Sequence, residues 1–173
     1  MSPTPPPAPG GPSSPKARQA MALLDQGRVD QARALLQPIA AKSPGDAVVN
    51  LLMRTILSRL GEHTQALYYA QQAAAADPRS AKAHNLVGSS LVDLGRFDES
   101  VGPLSRAVEL APGEALNHAA LANALGRAGR YPECEAAAGT AVGIDPTHPR
   151  AAGVLASCLI HTGRADEALA VLR

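Results

Sequence analysis

A pair of histidines and the only two cysteines are the residues whose types metal or redox chemistry would need. His84 and His118 stand 34 residues apart and would share one face on successive helices, where two imidazoles can in principle grip an ion. Packed helices lie about 8 to 10 Å apart, which argues against a site built from that pair alone. Cys134 occupies a position where the other segments carry Ala32, Ala66, Ser100 and Ala168, and Cys158 one where they carry Ala22, Ile56, Ser90 and Ala124. Both are read as buried small residues, not as a redox pair or as ligands. The chain has no Gly-rich phosphate loop, no HExxH, no paired CxxC and no nucleophile elbow. Tyr68, Tyr69, Phe97 and Tyr131 are too few and too scattered for a base-stacking platform. Neither catalysis, nor a cofactor, nor a metal is expected.

Charge narrows the partners further. Sixteen basic and fifteen acidic residues leave a net charge of +1, with the basic side chains scattered, so nucleic acid and anionic membranes are not expected partners. No apolar run approaches the roughly 18 to 20 residues of a membrane span, and the N-terminus has no signal-peptide pattern. The expected location is cytoplasmic. Residues 1–14 are rich in Pro with Gly and Ser between, and read as a disordered tail. Its PxxP spacings are of the kind that dock on aromatic grooves, and arise readily in any segment so rich in Pro.

The positions above recur because the chain repeats. Taking Ala81–Gly113 as the template, a shift of 34 residues in either direction brings Gly27, Gly61, Gly95, Gly129 and Gly163 into register, followed by Pro44, Pro78, Pro112 and Pro146. His84, Val87, Gly88, Leu91 and Leu94 fall at three-and-four spacing, which predicts a helix with one apolar stripe. Gly95 ends it, since a residue just past a helix end commonly needs positive φ. Asp98 and Glu99 suit the positive end of a second helix, as do Asp30, Asp166 and Glu167. Val101, Leu104, Ala107 and Val108 give that helix its stripe, and Pro112 stops it. The small residues Ala20, Gly88, Ala122 and Ala156 are expected to face Ala32, Ala66, Ser100, Cys134 and Ala168 in a small-on-small contact that lets the two helices approach. Arg54 interrupts the first of these columns and is read as snorkelling outward.

A fixed period of this length, built from helix pairs, predicts an all-α solenoid. The chain resembles the tetratricopeptide repeat family, whose pattern is met by His84, Val87, Gly88, Leu91, Ser100, Leu104 and Pro112. The resemblance implies a right-handed α-solenoid of 34-residue helix-turn-helix repeats over residues 13–173, with repeats at 13–46, 47–80, 81–114, 115–148 and an incomplete 149–173. It also implies that His84 and His118 hold a packing column and that the first helices line a concave, peptide-binding face. Carried over by column, one stripe of that face is Met21, Thr55, Ser89, Asn123 and Ser157. A second is Asp25, Arg59, Asp93, Arg127 and His161, and a third is Ala17, Leu51, Asn85, Ala119 and Gly153. The implied groove is apolar in its N-terminal half, with Met21, Leu24, Val48 and Leu51. Its C-terminal half is polar and partly cationic, with Lys82, Asn85, Asn123, Arg127, Arg150 and His161.

The expected function is therefore a non-catalytic protein–protein interaction scaffold that holds peptide segments, the C-terminal half of the groove facing an acidic stretch. The alternation in sign along Asp25, Arg59, Asp93 and Arg127 also fits a plain structural role, with these charges pairing across neighbouring helices. The chaperone-tail clamp of this family is not matched, since Asn85 and Ala119 stand in its Lys column. The asparagine ladder of the O-linked N-acetylglucosaminyl transferases is not matched either, with Arg18, Leu52, Leu86, Ala120 and Val154 at its positions. The incomplete fifth repeat points to a fragment of a longer protein. Two alternatives follow from it: the recognition part of a larger enzyme such as a bacterial glycosyl- or sulfotransferase, or a module that self-associates through its C-terminal end. Tyr68 is a candidate for a contact on the convex face.

Overall fold

The computed structural model describes residues 14–172, so all of the Pro-rich segment except Ser14, and its PxxP spacings, lie outside the described residues. Ten helices are present among them: α1 (Pro15–Asp25), α2 (Val29–Lys42), α3 (Ala47–Arg59), α4 (His63–Ala76), α5 (Ala81–Asp93), α6 (Phe97–Leu110), α7 (Ala115–Arg127), α8 (Tyr131–Ile144), α9 (Ala151–His161) and α10 (Ala165–Val171). No strand occurs among the described residues, and the fold is an all-α helical repeat of the solenoid class. The chain divides between Ala76 and Asp77 into two compact units. In the first, α1 packs on α2, α2 on α3 and α3 on α4, with α1 also touching α3. In the second, α5 to α10 pack consecutively, and the first helices α5, α7 and α9 form a layer of their own.

The hairpin turns follow from one backbone device. Gly27, Gly61, Gly95, Gly129 and Gly163 adopt φ between +73° and +79°. Each reversal lets the next amide fold back on the helix it has left. Arg28 N–H donates to Leu23 O, Glu62 to Leu57, Arg96 to Leu91, Arg130 to Leu125 and Arg164 to Leu159, at 2.8 to 2.9 Å. These are the long bonds of the Schellman motif, which satisfy carbonyls that a helix end leaves without an intrahelical donor.

Helix starts use two different devices. Ser14, Asp46 and Ser80 cap α1, α3 and α5 by accepting the amides of Ala17, Val49 and Ala83 at 3.0 to 3.2 Å. The second helices α6, α8 and α10 have an Arg at the cap, with no side-chain cap bond. That Arg instead clamps the Glu three residues on with two bonds: Arg96 on Glu99 at 2.7 and 2.6 Å, Arg130 on Glu133 at 2.7 and 2.5 Å, and Arg164 on Glu167 at 2.6 and 2.5 Å. Hydrogen bonds from the guanidinium hold each carboxyl below the ordinary glutamate value of 4.5.

Side-chain bulk in the core falls along the chain. The first unit buries Leu36, Val49, Met53, Ile56 and Leu57 almost completely. In the second unit Leu104 is the one aliphatic side chain of that size below 2% exposure among the described residues, and Ala119, Ala122, Ala138, Ala141 and Ala156 fill much of the rest. Gly88 does not meet a small partner. A Cβ there would lie 2.3 Å from Leu104 Cγ, so the close approach is small-on-large, and the expected small-on-small pairing is corrected at this position. The reason is register: Leu104, one turn along from Ser100, is the side chain that reaches across.

The reading of the two cysteines is also corrected. Cys134 on α8 and Cys158 on α9 are joined as a disulfide, with their Cα atoms 6.4 Å apart. Twenty-four residues separate them in sequence, yet a second helix packs directly on the next first helix, which brings the two columns into contact.

Two outcomes test this account. Gly88→Ala should lower stability by about 1 kcal/mol or more in urea unfolding, because overpacking against the immobile Leu104 costs about 1 to 3 kcal/mol and outweighs the helix preference of Ala. For the Arg–Glu clamps the folded carboxyl values are lowered, so their contribution is complete above the ordinary value and is lost as pH falls through the lowered one. Replacing Glu99, Glu133 and Glu167 by Gln should therefore flatten the acid limb of the stability profile, measured as urea midpoints between about pH 3 and pH 6, and an unchanged limb would remove the clamps from the account.

Candidate binding groove

On the first unit, Met21 is exposed on α1, while Leu51 and Thr55 are half-buried on α3. Thr55 Oγ1 donates back to Leu51 O at 2.9 Å. Arg59 Nη1 donates to Leu24 O at 2.8 Å, so this guanidinium serves the carbonyl end of α1. Leu24 itself is buried at 6% exposure and belongs to the core, not to a groove wall. This overturns its expected place and follows from its packing with Leu36, Met53 and Leu57.

On the second unit the expected residues converge. Asn85, Ser89 and Asp93 on α5, Asn123 on α7, and Arg150 at the start of α9 line one cleft of ≈ 100 Å³. Asn123, Arg127, Ser157 and His161 line an adjoining cleft of ≈ 270 Å³ between α7 and α9, with Tyr131 at its side. Lys82 lies apart from both, in a recess of ≈ 390 Å³ between the starts of α5 and α7, which it shares with Asn85, Leu86 and Leu116. Asn85 therefore joins the recess to the first cleft, and Asn123 joins the first cleft to the second.

Several of these side chains are held by neighbours. Asn85 is 7% exposed and donates through Nδ2 to Asn117 Oδ1 at 3.0 Å, while its own Oδ1 accepts from Ser89 Oγ at 3.3 Å. Asn117 Nδ2 in turn reaches the carbonyls of Ala107 and Ala111 at the end of α6, at 3.3 and 3.4 Å. The Arg127 guanidinium lies 4.4 Å from the centre of the Phe97 ring, a cation–π contact that fixes its direction. His161 stacks on Tyr131 at 4.6 Å and its Nδ1 lies 2.8 Å from Ser157 O. A carbonyl only accepts, so Nδ1 carries the N–H. The Arg150 side chain is exposed and has no hydrogen-bond or ion-pair partner among the described residues.

The histidine column has a task besides the one expected of it. His84 Nε2 lies 3.0 Å from Pro78 O and His118 Nε2 2.9 Å from Pro112 O, each ring clasping the loop six residues before it. Asn50 does the same with Pro44 O at 2.7 Å. Both rings are half-buried and tie a helix to the loop that precedes it, a task beyond the packing role that the resemblance implies. The carbonyl only accepts, so Nε2 of each ring carries the N–H.

Sequence reasoning missed Leu116, Asn117, Tyr131 and His148 as neighbours of the clefts. For Asn117 a signal existed, because the same position elsewhere carries Val49, Ala83 and Ala151. For the others the columns give no distinction. Among the described residues no group of three or more His, Cys, Asp or Glu side chains is placed to hold a metal ion. No helix among them is long and apolar enough to cross a membrane. What the clefts offer is amide and hydroxyl hydrogen bonding, the carboxylate of Asp93, the exposed cations of Arg127 and Arg150, and a stacked ring pair.

A family model described as tetratricopeptide repeat matches residues 23–90 and 127–173. The chain belongs to the tetratricopeptide repeat family. No curated protein matches it in sequence. Among solved structures it is similar to MamA from Desulfovibrio magneticus RS-1, with 19% identity over 92% of each chain and a TM-score of 0.79. MamA of strain AMB-1 gives 22% identity over 92% of this chain and 94% of that one, with a TM-score of 0.78. A thermophilic tetratricopeptide-repeat protein of Thermus thermophilus gives 23% identity over 90% of this chain and 86% of that one, with a TM-score of 0.75. At such identities the likeness concerns the fold. Family membership carries the general role of tetratricopeptide repeats, which are scaffolds for protein–protein interaction.

The Asn85–Asn117 link is open to test. Asn117→Ala leaves the buried Asn85 Nδ2 without its acceptor, while the carbonyls of Ala107 and Ala111 keep their backbone donors, and should cost about 1 to 3 kcal/mol in urea unfolding. Stability equal to the parent would mean that the network is neutral.

Proposed function

We propose that this chain is a non-catalytic scaffold that holds an extended peptide segment of a partner protein along the α5–α7–α9 layer, with acidic residues of that segment opposite Arg150 and Arg127. The reading is carried by one observation: Asn85, Ser89, Asn123 and Arg150 line one cleft, and Asn123, Arg127, Ser157 and His161 the next. Asn123 is common to both and can hydrogen-bond a peptide backbone that runs from one to the other. Arg150 has no counter-ion among the described residues, so an incoming carboxylate gains its hydrogen bonds without displacing another. Arg127 is held over Phe97 but remains exposed, and its donors stay available to the second cleft. Ser89 and Ser157 add hydroxyls at the rim. The recess beside Lys82 and Leu116 takes an apolar side chain next to this polar stretch.

The test uses fluorescein-labelled decapeptides that alternate Leu with Glu, against matched sets with Gln or Lys, in fluorescence polarisation. The acidic set should bind best, and Arg127→Ala with Arg150→Ala should weaken it by about tenfold at low salt, the difference shrinking as salt is raised. Because Arg127 also packs on Phe97, Arg150→Ala alone serves as the second variant and should give the larger share of the salt-dependent loss. Equal binding of all three sets, or affinity unchanged in both variants, would defeat the reading.

A further inference from the structure

Three departures from the repeat pattern meet at one place. Cys134 replaces the Ala or Ser of its column, Cys158 the Ala, Ile or Ser of its own, and Gly126 stands where the other repeats have Leu24, Ser58, Val92 and Ile160. Gly126 is on α7, against the sulfurs. A Cβ there would lie 3.1 Å from Cys134 Sγ and 3.6 Å from Cys158 Sγ. The aliphatic side chains that three of the other repeats carry at this position would occupy the space that the sulfur pair fills. The Cα separation of 6.4 Å lies within the usual range for a bridge, so α8 and α9 need not move to form it.

The bridge also sits where other bulk is scarce. Cys134 and Cys158 are the only side chains of α7 to α10 among the largest fully buried ones, a set that the first unit fills with Leu36, Met53, Ile56 and Leu57. The hairpin that Cys158 anchors is also held by the cluster of Ala156, Leu159 and Ala168 and by the ion pair of Arg164 with Glu135 on α8. α9 supplies Ser157 and His161 to the second cleft, and both sulfurs lie beneath that cleft.

We propose that Cys134 and Cys158 form a thiol–disulfide latch that decides whether α9 is pinned to α8, and with it whether the cleft between α7 and α9 is held at a fixed width. The exchange partner is a low-molecular-weight or protein disulfide of the glutathione or thioredoxin chemical class. In the oxidising direction the two thiols form one S–S bond, the partner's S–S bond breaks, and two protons and two electrons pass to it as two thiols. Reduction is the reverse. The two cysteines are 0% and 2% exposed, so exchange requires the α9–α10 hairpin to lift away first, and the latch responds slowly to the surrounding redox state. The mechanical part stands by itself; the consequence for binding rests on the peptide reading above.

The experiment compares the full chain equilibrated in oxidised and in reduced glutathione. Thiol titration after denaturation should find no free thiol in the first and two in the second. Amide hydrogen exchange in α9 should be slower by about tenfold or more in the oxidised protein. The double variant Cys134→Ala, Cys158→Ala, which restores residues found in the same columns, should exchange at the reduced rate in both buffers. Two free thiols in oxidised buffer, or equal exchange in both states of the parent, would overturn the latch. The acidic decapeptide is measured alongside: absence of binding in both states would count against the peptide reading, while the exchange rates still decide the latch.

Discussion

Five glycines with φ between +73° and +79° are the constraint on which the rest of the structure depends. A left-handed residue directly after a helix turns the chain back on itself, and only Gly adopts that conformation without a steric cost. The following amide then bonds to a Leu carbonyl five residues back, in all five turns. Because the turn is the same each time, each second helix folds back and packs on the first helix of its own pair. The columns of small and large residues have meaning only because this turn holds them in phase.

Given that phase, stability is a matter of what fills each column, and the filling is uneven. Where Leu36, Met53, Ile56 and Leu57 meet, the first unit removes large aliphatic surface from water. Around α7 to α9 the corresponding cluster consists of Ala122, Leu125, Cys134, Ala138 and Cys158. Alanine buries little per residue, so polar and covalent ties take a larger share: the Asn85–Asn117 bond, the His clasps on Pro78 and Pro112, and the bridge between α8 and α9. These ties are directional where aliphatic packing is not, and they hold helices in one register at the cost of tolerating fewer substitutions.

How much of this was legible in the sequence depends on whether a feature repeats. The glycine turns, the proline stops and the helix pairs recur at one spacing, and each copy corroborates the others. Contacts made once do not. Gly88 looked like one more small residue until its neighbour proved to be Leu104, because periodicity assigns a residue to a face and not to a partner across the interface. The bridge was missed for a related reason: Cys134 and Cys158 lie in columns filled mostly by Ala and Ser, so each alone reads as a small core residue. Only the adjacency of a second helix to the next first helix brings the two columns together. His84 and His118 were placed in an apolar stripe on spacing alone, whereas the ring nitrogen finds the loop carbonyl six residues earlier. In the groove, the columns did not separate wall from core at Leu24, Ala17, Asn85 and Ala119, all of which are buried.

The groove residues divide by what else they must do, and that division bears on recognition. Arg59 serves a carbonyl at the end of α1, Asn85 is tied to Asn117, and Arg127 rests on Phe97. A side chain already engaged is preorganised, so it loses little entropy on binding, but part of its hydrogen-bonding capacity is taken. Arg150 is the opposite case, fully available and unrestrained. A ligand that meets both kinds gains position from the first and electrostatic attraction from the second. Along the sign alternation of Asp25, Arg59, Asp93 and Arg127, the two cations make structural contacts of their own, with Leu24 O and the Phe97 ring. At Arg127 the contact with Phe97 holds the cation in one place while the residue stays exposed in the lining of the second cleft.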